Sequence, residues 1–559
     1  MKKKFGYVTI AISLIILEMI FFRNIIFKGM YFGDYGDGKL TMLLAEHWWN
    51  VIQGIEGFNE LPFFYPVAGV LGYSDMLMGF GLIHSLFRLG GMDMYHAYVI
   101  TLILIHIVGT FSLFVLLNYE MRLHWGWALL GTVAFSYSNN YAQILGHTQL
   151  MAFSCVPVLL LLLAKVIKNL RLKKTKIANI WMLCCILEML FILYTSWYIA
   201  FFVGFYTILF GLIYLCRAVW YRQTKNWGLV KKIKEYGKYI IFWTIVVVVC
   251  LIPFIKVYLP VLQSTGGGYA WDETKLFLPE IADLFNVGDS NILEHILMQK
   301  MNLDTRGYSG ELVIGYTIIF WILIISMCLL HQRHIIQKGM GVRTLALSNI
   351  VITCFIGILL VLRLSTNGLS IWWCVVQVVP GAGSVRTICR WILFLTLPFS
   401  IYISLIGNEL IKLSKKRLRY SSIGMIFLCV IIYTSNLCGE GVYATVSVKE
   451  GIEDICNVEE PPRDCNVFFI KDTSSDAEIS FFTNCLVQMQ AYEIANKYHI
   501  KTINGYSGQF PEGWGHWDKL YNIYGEDYEN YVDEWCILHG IDRIWSYDIG
   551  TNQWEQFQR

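Results

Sequence analysis

The chain has 559 residues, of which 56% are hydrophobic and only 15% are charged, and its formal net charge is +3. Its mean hydropathy is +0.51. A soluble fold with so few charged residues would lack a polar coat, so the composition excludes a soluble enzyme and a nucleic-acid-binding protein. The sequence predicts an α-helical polytopic membrane protein.

Apolar runs long enough to cross a bilayer recur along the chain, since a membrane-spanning helix needs about 17 to 25 mostly apolar residues. About eleven such spans are predicted, namely 6–27, 97–117, 125–139, 151–167, 178–194, 198–216, 239–262, 311–330, 344–362, 391–410 and 421–438. The first run is too long for a signal peptide and has no small-residue cleavage site, so we expect it to remain as a span.

Clusters of basic residues predict the orientation, because Lys and Arg concentrate in cytoplasmic loops. The clusters are residues 2–4, the loops 165–176, 217–238 and 412–419, and a weaker group at Arg333, Lys338 and Arg343. All of them fall on one side of the predicted spans. We therefore expect a multi-pass protein of the cell membrane with a cytoplasmic N-terminus. The extracytoplasmic face then carries the first external loop 28–96, the turn 140–150, the large external loop 263–310 and the tail.

Two further apolar segments are predicted to lie on the membrane surface or to re-enter it. A full crossing by residues 74–89 would place every later basic loop on the wrong side. Residues 371–384 are apolar but end in Pro380, Gly381 and Gly383, which interrupt a helix. Irregular backbone at membrane depth needs protein or a wet cavity around it, so we expect segment 74–89 to lie against a cavity.

The chain is predicted to divide into a GT-C-like transmembrane domain, residues 1–438, and an extracytoplasmic C-terminal domain, residues 439–559. Alternating apolar runs such as 466–470 predict a small α/β or α+β fold for the second. Its cysteines are Cys456, Cys465, Cys485 and Cys536. Disulfides and free thiols both stay open, because sequence does not give connectivity. The sequence has no Cys-x-x-Cys motif, so no thiolate metal site is expected.

An acidic, glycine-rich motif, Gly33-Asp34-Tyr35-Gly36-Asp37-Gly38, follows the first predicted span. Two carboxylates three residues apart in a turn can converge on one ligand. One can act as general base toward a hydroxyl, while the other orients it or holds a cation. The alternative is a solvated turn that caps the predicted amphipathic helix 39–52, with Asp37 at the positive end of that helix.

Aromatic and polar side chains follow on the same predicted face. Tyr65, within Pro62-Phe63-Phe64-Tyr65-Pro66, and Asp75 are candidate ligands for a sugar ring, and an interfacial aromatic belt is the alternative. His147 and Gln149 lie in a polar turn between two predicted spans. His147 is a candidate base or phosphate ligand, and an ordinary hydrogen-bonded interfacial histidine is the alternative.

Basic residues are scarce on this face, which makes Arg386 and Arg390 informative. Their i, i+4 spacing predicts two guanidinium groups on one face of a helix at the membrane edge, suited to the phosphate of a lipid head group. The alternatives are snorkelling to the interface and pairing with acids of the loop 263–310. Arg363 is a third candidate.

The tail segment 502–514, Thr-Ile-Asn-Gly-Tyr-Ser-Gly-Gln-Phe-Pro-Glu-Gly-Trp, is dense in glycine, aromatic and hydrogen-bonding residues. Such a composition favours an ordered loop that covers the cavity or contacts a carbohydrate. A turn-rich connection is the alternative, since Asn-Gly and Ser-Gly are ordinary turn dipeptides.

Together these motifs resemble the GT-C superfamily of membrane glycosyltransferases, and within it the YfhO-like bacterial proteins. The resemblance covers about residues 40–440, and the tail motif is weaker evidence for it. It is carried by Gly33-Asp34-Tyr35-Gly36-Asp37, Phe64-Tyr65-Pro66, Asp75, Gly146-His147, and Pro380-Gly381 leading to Arg386 and Arg390.

The resemblance implies an inverting enzyme that moves a sugar from a polyprenyl-phosphate donor to an extracytoplasmic acceptor in the cell envelope, which is a polymer, glycan or lipid. It implies Asp34 as the base toward the acceptor and Asp37 as its partner. Arg386, Arg390 and His147 would contact the donor phosphate. The sequence has Asp-x-x-Asp where other branches have Asp-Glu or Asp-x-Asp. Dependence on a divalent cation therefore stays open. We expect no metal and no cofactor, because the donor phosphate is already a leaving group that faces arginines.

Two other classes of function remain open, namely a flippase or transporter for lipid-linked glycans or polysaccharides, and a non-catalytic membrane scaffold. A transporter should carry charged or broken helices at the bilayer midplane. Glu18 and Glu188 are the main acids inside the predicted spans, and this sparseness favours an enzyme at the interface.

Overall fold

The computed structural model describes residues 2–34, 36–221, 229–296, 300, 309–412, 418–439, 441–473, 481–515 and 519–558. Tyr35 of the acidic motif lies outside the described residues. So do parts of the predicted basic loops 217–238 and 412–419 and of the external loop 263–310.

Helices dominate the chain up to residue 435. They are α1 (Lys2–Phe21), α2 (Arg23–Lys28), α3 (Asp37–Gln53), α4 (Met78–Leu89), α5 (Met94–Val115), α6 (Trp125–Ser136), α7 (Asn139–Ile144), α8 (Cys155–Arg171), α9 (Thr175–Leu193), α10 (Trp197–Trp220), α11 (Leu229–Ser264), α12 (Trp271–Thr274), α13 (Ile318–Lys338), α14 (Val342–Val361), α15 (Trp372–Val378), α16 (Arg390–Lys412) and α17 (Leu418–Ser435).

Eight helical segments among the described residues are long and apolar enough to cross a membrane. They are Met94–Glu120, Thr148–Arg171, Thr175–Leu193, Trp197–Trp220, Tyr239–Ser264, Ile318–Gln337, Val342–Val361 and Arg390–Glu409. Eight of the predicted spans coincide with them, which confirms a polytopic helical protein. The predicted span 311–330 begins too early, because α13 starts at Ile318 and residues 309–312 form a separate 3₁₀ turn.

The other three predicted spans correspond to shorter apolar helices, so the structure supports eight long spans and leaves the count of eleven unconfirmed. Two of them contain the apolar stretches Tyr7–Phe21 and Gly424–Ser435. The third, α6, has 12 residues. At about 1.5 Å per residue, such a helix covers only part of a hydrocarbon core about 30 Å thick. It is buried on nearly every side within the protein.

Neighbouring long helices run in opposite directions, as in α8 and α9, which are joined by a short turn and pack along each other. The first residues of α8, α10, α13 and α16 therefore lie on one face of the bundle, here called the site face. Basic residues such as Arg171 and Arg217 lie near the other ends of these helices.

The two segments predicted to lie on the membrane surface form short helices. Helix α4 has 12 residues. It buries Phe80 and His84 against α3 and α5 and leaves Leu82, Leu86 and Leu89 exposed. This one-sided apolar surface is typical of a helix that lies in the interface plane. Helix α15 has only seven residues and is followed by Gly381 in the left-handed region.

The tail forms a small α/β domain around one four-stranded sheet. Its elements are β2 (Val446–Ser447), α18 (Val448–Cys456), β3 (Val467–Lys471), α19 (Phe481–Tyr498), β4 (Lys501–Thr502), α20 (Tyr528–His539), β5 (Trp545–Asp548) and β6 (Gln553–Gln556). The strand order is β4-β3-β5-β6, with β3 parallel to β4 and β5 and with β6 antiparallel to β5. The central strand β3 reads Val-Phe-Phe-Ile-Lys and is almost wholly buried, as expected for a strand covered on both faces. No disulfide joins Cys456, Cys465, Cys485 and Cys536.

This domain is attached firmly to the first external loop. Strand β1 (Met30–Tyr31) pairs antiparallel with β2. Lys39 of α3 forms a buried ion pair with Glu493 of α19. The Asn50 side-chain amide donates to Asn496 Oδ1 at 2.6 Å. The start of the chain and its tail therefore build the site face together.

Candidate active site

The acidic turn reaches the site because two glycines allow its backbone to touch the segment before α8. Gly33 has φ 80°, and a Cβ there would lie 2.7 Å from the carbonyl oxygen of Gly146. The Gly33 N–H donates to the carbonyl of Tyr443 at 3.1 Å. Asp37 then opens α3. Asp37 is thereby brought beside His147.

Four charged side chains from four separate segments follow one another in space, and we call them the charged chain. Asp37 Oδ2 lies 2.6 Å from His147 Nδ1. His147 Nε2 lies 2.7 Å from Glu311 Oε1. Arg390 donates to both carboxylate oxygens of Glu311, from Nη2 to Oε1 at 2.9 Å and from Nε to Oε2 at 3.3 Å. Acid and base alternate along the charged chain, so each charge is balanced by its neighbour.

The electrostatics keep all members of the charged chain ionised at neutral pH. Burial alone would raise the pKa of Asp37, but contact with His147 and the charge of Arg390 lower it below its ordinary value. Burial and Arg390 act to lower the pKa of His147, yet Glu311 and Asp37 together raise it to about 9. Burial opposes ionisation of Glu311, and Arg390 and His147 overcome it, so its pKa is also lowered. His147 is therefore an imidazolium at pH 7.

Asp34 stands beside the charged chain without joining it. Its Oδ1 accepts from the Gly36 N–H at 3.0 Å, and it makes no ion pair with any described residue. Burial and the negative charge of Asp37 raise its pKa, against smaller lowering effects from the Gly38 and Gly36 N–H groups and from His147. A half-buried carboxylate that holds its proton more tightly than usual is a stronger base once ionised.

The prediction that Arg386 and Arg390 share one helix face is wrong, because α16 begins at Arg390. The chain is held out of the helix one turn earlier, where the Thr387 N–H donates to the Tyr198 hydroxyl at 3.1 Å. Arg390 lies over the Tyr198 ring, whereas Arg386 lies over the rings of Tyr269 and Phe277. Arg390 pairs with an acid, and Arg386 has no carboxylate partner among the described residues. Arg386 is therefore the cation that remains available to an anionic ligand.

Arg363, the third candidate, takes no part in this cluster. Its guanidinium donates to the carbonyls of Ser365 and Thr366 and lies 3.8 Å from Glu280.

Asp75 is near the same cluster, held by the first turn of α10. Its Oδ1 accepts from the Trp197 N–H at 3.0 Å. Burial raises its pKa to about 6, and the Trp197 N–H and the charge of Arg390 limit the rise. Gln149 lies in the 3₁₀ helix Thr148–Ser154, just before α8. Its Oε1 is buried without a hydrogen bond from any described residue.

The aromatic motif at 62–66 has a different place from the predicted sugar-stacking rim. Phe63 and Phe64 are fully buried, and Phe64 packs edge-on against Trp514 of the tail. Tyr65 is half-buried, its N–H donates to the carbonyl of Thr502, and its own carbonyl accepts from Trp535 Nε1. These residues act mainly as the contact surface for the C-terminal domain.

The tail segment 502–514 covers the charged chain, which is one of the interpretations that its composition left open. The Tyr506 hydroxyl donates to Asp37 Oδ1 at 3.0 Å. The Ser507 hydroxyl lies 2.6 Å from both the Ser74 hydroxyl and the carbonyl oxygen of Tyr73. The Tyr269 hydroxyl donates to the carbonyl of Gly508 at 3.1 Å. Since Tyr269 also lies under Arg386, this segment connects the acidic turn with Arg386. We call the region between the charged chain and Arg386 the cleft.

Sequence reasoning missed Glu311 and assigned no role to Tyr506 or Tyr198. The available signal for Glu311 was its position as an acid at the very edge of an apolar run. Tyr506 was inside a segment that was singled out, but its partner lies 469 positions away. Among the described residues, no group of three or more His, Cys, Asp and Glu side chains is arranged to hold a metal ion.

No protein-family model and no curated protein matches the sequence. The likeness to GT-C enzymes therefore stays a prediction from the motifs. Among the described residues, the cleft holds a balanced charged chain, the carboxylates of Asp34 and Asp75 outside it, and one guanidinium without a carboxylate partner, Arg386. That combination can remove a proton from a hydroxyl and stabilise negative charge on a leaving group.

Proposed function

We propose that this chain is an inverting membrane glycosyltransferase of the GT-C type. It would move a sugar from a polyprenyl-phosphate donor to a hydroxyl of a cell-envelope acceptor. The observation that carries this proposal is that His147 and Glu311 connect Asp37 of the acidic turn to Arg390. The tail segment 502–514 covers these residues. These elements are far apart in sequence, and a scaffold would have no need to bring them together.

In the proposed reaction the acceptor hydroxyl oxygen attacks the anomeric carbon of the donor sugar. The bond from that carbon to the phosphate oxygen breaks, and its electron pair leaves with the lipid phosphate. The hydroxyl proton passes to Asp34. Arg386 faces the departing phosphate, where negative charge grows in the transition state. The opposite faces of attack and departure give inversion.

The members of the charged chain are positioning residues in this proposal. Arg390, first expected on the donor phosphate together with Arg386, is occupied by Glu311 and holds it in place for His147. His147 in turn fixes Asp37. The two acids and two cations of the charged chain cancel, so Asp34, Asp75 and Arg386 supply the charges that a substrate meets.

The proposed topology follows from the ends of the helices. Basic residues lie at the ends opposite the site face, and such ends are normally cytoplasmic. The proposal therefore places the N-terminus in the cytoplasm and the cleft and tail domain outside, at the level of lipid head groups. The eight long spans and the three shorter apolar helices together would make eleven crossings. No metal enters the proposed chemistry.

A transporter of lipid-linked glycans is the second candidate, and one observation favours it. His106, inside the span Met94–Glu120, lies 2.8 Å from Glu18, and the Tyr137 hydroxyl donates to the same carboxylate at 3.1 Å. Ionisable groups within the membrane often mark transport pathways. His106 Nε2 also lies 2.9 Å from the carbonyl of Ser136, which gives this pair a plain structural explanation as well.

The test is sugar transfer in proteoliposomes from a panel of polyprenyl-phosphate sugars. The native chain is compared with Asp34→Asn and with a control, Asp464→Asn, at an exposed acid of the tail domain. We expect donor consumption by the native chain and the control, and a loss of about 10²- to 10⁴-fold in Asp34→Asn. Full activity in Asp34→Asn would remove the assigned base. A folded native protein that consumes no donor of the panel would contradict the enzyme and favour the transporter.

A further inference from the structure

A second cavity lies in the C-terminal domain, away from the charged chain. Its volume is about 430 Å³, within the range of about 300 to 1,000 Å³ typical of small-molecule sites. Helix α18 forms one wall, helix α19 another, and the end of β5 with the following turn a third. Lys39 of α3 closes its inner end.

Three polar side chains of the cavity wall are uncommitted. Asp454 and Asn457 lie on and just after α18, and Gln490 lies on α19. Among the described residues, none of these three side chains has a hydrogen-bond or ion-pair partner. They offer one carboxylate and two amides, which can both donate and accept hydrogen bonds.

The wall around these groups is fixed by bonds that are already made. Asn552 Oδ1 accepts from the Tyr547 hydroxyl at 2.7 Å and from the Glu459 N–H at 3.1 Å. Its Nδ2 donates to the carbonyl of Asn457 at 3.0 Å. The position of Asn457 is thus held by its backbone while its side chain stays free.

The charges at the inner end of the cavity cancel. Glu493 is buried and takes the ammonium of Lys39 on one oxygen and the Tyr95 hydroxyl on the other. Lys39 is therefore not free to bind an anion. Asp454 is the remaining carboxylate, and one carboxylate is far from the six to eight oxygen ligands that Ca²⁺ prefers.

The rest of the lining is apolar, with Ile455 and Val458 on one wall and Leu486 and Ile549 on the others. A neutral ligand with many hydroxyls and an apolar face satisfies both parts of such a lining. Asp454 and Asn457 are exposed to solvent and Gln490 is half-buried. A purely apolar ligand would displace water from these three side chains without replacing its hydrogen bonds, which is costly.

We propose that this cavity binds a neutral sugar unit. The ring hydroxyls bond to Asp454, Asn457 and Gln490, and the C–H face of the ring lies on the apolar lining. Binding of a sugar at this cavity does not depend on the proposed function. The identification of the sugar as part of the acceptor rests on the proposed function.

The position of Lys39 separates this site from the cleft. Lys39 follows Asp37 by two residues in the first turn of α3, and residues two apart on a helix point to nearly opposite sides. The cavity and the charged chain therefore flank α3 on opposite sides. Because the proposed donor site lies on the other side of α3, we assign the ligand of the cavity to the acceptor.

The experiment is a binding titration by saturation-transfer NMR, with the full-length protein in lipid nanodiscs. The probes are four neutral disaccharides (maltose, cellobiose, lactose and N,N′-diacetylchitobiose), with glucose 6-phosphate and glucuronate for comparison. Gln490→Leu, alone and with Asn457→Ala, removes the amides without touching the Lys39–Glu493 pair. Gln556→Leu makes the same change on an exposed strand outside the cavity.

We expect saturable binding of at least one neutral disaccharide. Its Kd should rise about tenfold in Gln490→Leu and further in the double variant. Gln556→Leu should bind like the native chain. Equal binding by all four proteins, a preference for the charged sugars, or no saturable binding by the folded native chain would each overturn the proposal.

The two proposals fail separately. Sugar binding without donor consumption would leave the cavity assignment in place and remove only its identification as an acceptor site. Donor consumption without binding at the cavity would do the reverse.

Discussion

Two clusters of acid, imidazole and guanidinium groups stand side by side on the site face, and they differ in what surrounds them. In the first, the charged chain, the side chains of Asp37, His147 and Glu311 are 32%, 24% and 21% exposed. In the second, His84 of α4 lies 2.6 Å from Glu46 of α3. Arg88 lies 2.9 Å from the same carboxylate.

The second cluster is closed and local. Glu46 and His84 are only 4% and 0% exposed, and the cluster joins two helices that are neighbours in sequence and in space. The charged chain joins four separate segments, faces a cleft, and has Asp34 and Arg386 beside it. The same residue types therefore join two helices in one place and, under the proposed function, position a reactive site in the other. Access and uncommitted neighbours make the difference.

The largest effect is expected from Glu311→Gln, which breaks the centre of the charged chain. It leaves Arg390 buried without its partner and removes one of the two acids that hold His147. We expect transfer activity to fall by about 10²-fold and the free energy of unfolding by about 2–3 kcal/mol, a value reduced for the partial exposure of Glu311.

Glu280→Gln is the matched control for that experiment, since it breaks a looser acid–arginine contact with Arg363, 3.8 Å apart. It should cost less than about 1 kcal/mol. Denaturant unfolding in detergent and the transfer assay give both quantities. Equal effects of the two substitutions would remove the special role of Glu311.

Glu46→Gln in the closed cluster is expected to lower the free energy of unfolding and to leave transfer activity nearly unchanged, whereas Glu311→Gln lowers both. Both His84 and Arg88 lose their carboxylate, so the free energy of unfolding should fall by about 2 kcal/mol. Transfer by the protein that remains folded should stay within about twofold, because no group of the cleft is touched. A large loss of activity in fully folded Glu46→Gln would show that the two clusters are coupled.

The pH profile should follow His147 and Asp34. The pKa of His147 is raised to about 9 from an ordinary 6.5, so its ion pairs stabilise fully below about 6.5 and are lost as pH rises through about 9. Activity should therefore fall on the alkaline side near pH 9. The raised pKa of Asp34 sets the acid limb, because the base must be ionised.

The measurement is kcat/KM against pH for the native chain and for His147→Gln. The variant should lose the alkaline limb near pH 9 and keep the acid limb. An unchanged alkaline limb would assign that titration to another group.

The smallest effect is expected from Tyr506→Phe, which removes one hydrogen bond to Asp37. Activity should fall about fivefold, corresponding to about 1 kcal/mol, with the fold intact. Tyr524→Phe removes a similar hydrogen bond, to Asp472 at 3.3 Å, elsewhere in the same domain and should leave activity unchanged. Parallel losses in both variants would indicate a general loosening of the domain.

The sequence allowed the long helices and a small α/β or α+β tail to be predicted, because each has a strong local signal. The covering position of segment 502–514 was only one of several interpretations that its composition left open. Asp37 was found in an acidic, glycine-rich motif and His147 in a polar turn between two predicted spans. Arg390 was found because basic residues are scarce on this face. Glu311 was missed because its apolar neighbours extended the predicted span over it, whereas α13 begins seven residues later.

Contacts between distant parts of the chain explain the other errors. The helix expected to carry both arginines starts only at Arg390, because the hydroxyl of Tyr198 takes the N–H of Thr387. The aromatic residues at 62–66 were read as a rim because the tail that buries them is more than 400 positions away. Pairing of this range leaves no trace in local composition.

The hydrogen bond from Tyr506 to Asp37 also sets an order of events during synthesis. Its partners are 469 residues apart, and at about 5–20 residues per second the second follows the first by roughly half a minute to a minute and a half. During that interval Asp37 can contact His147 and Glu311 once these residues have been synthesised, but Tyr506 does not yet cover it. A ribosome that stops before residue 506 thus leaves an open, incomplete cleft in the membrane. The contact that covers Asp37 therefore forms only after segment 502–514 has been translated.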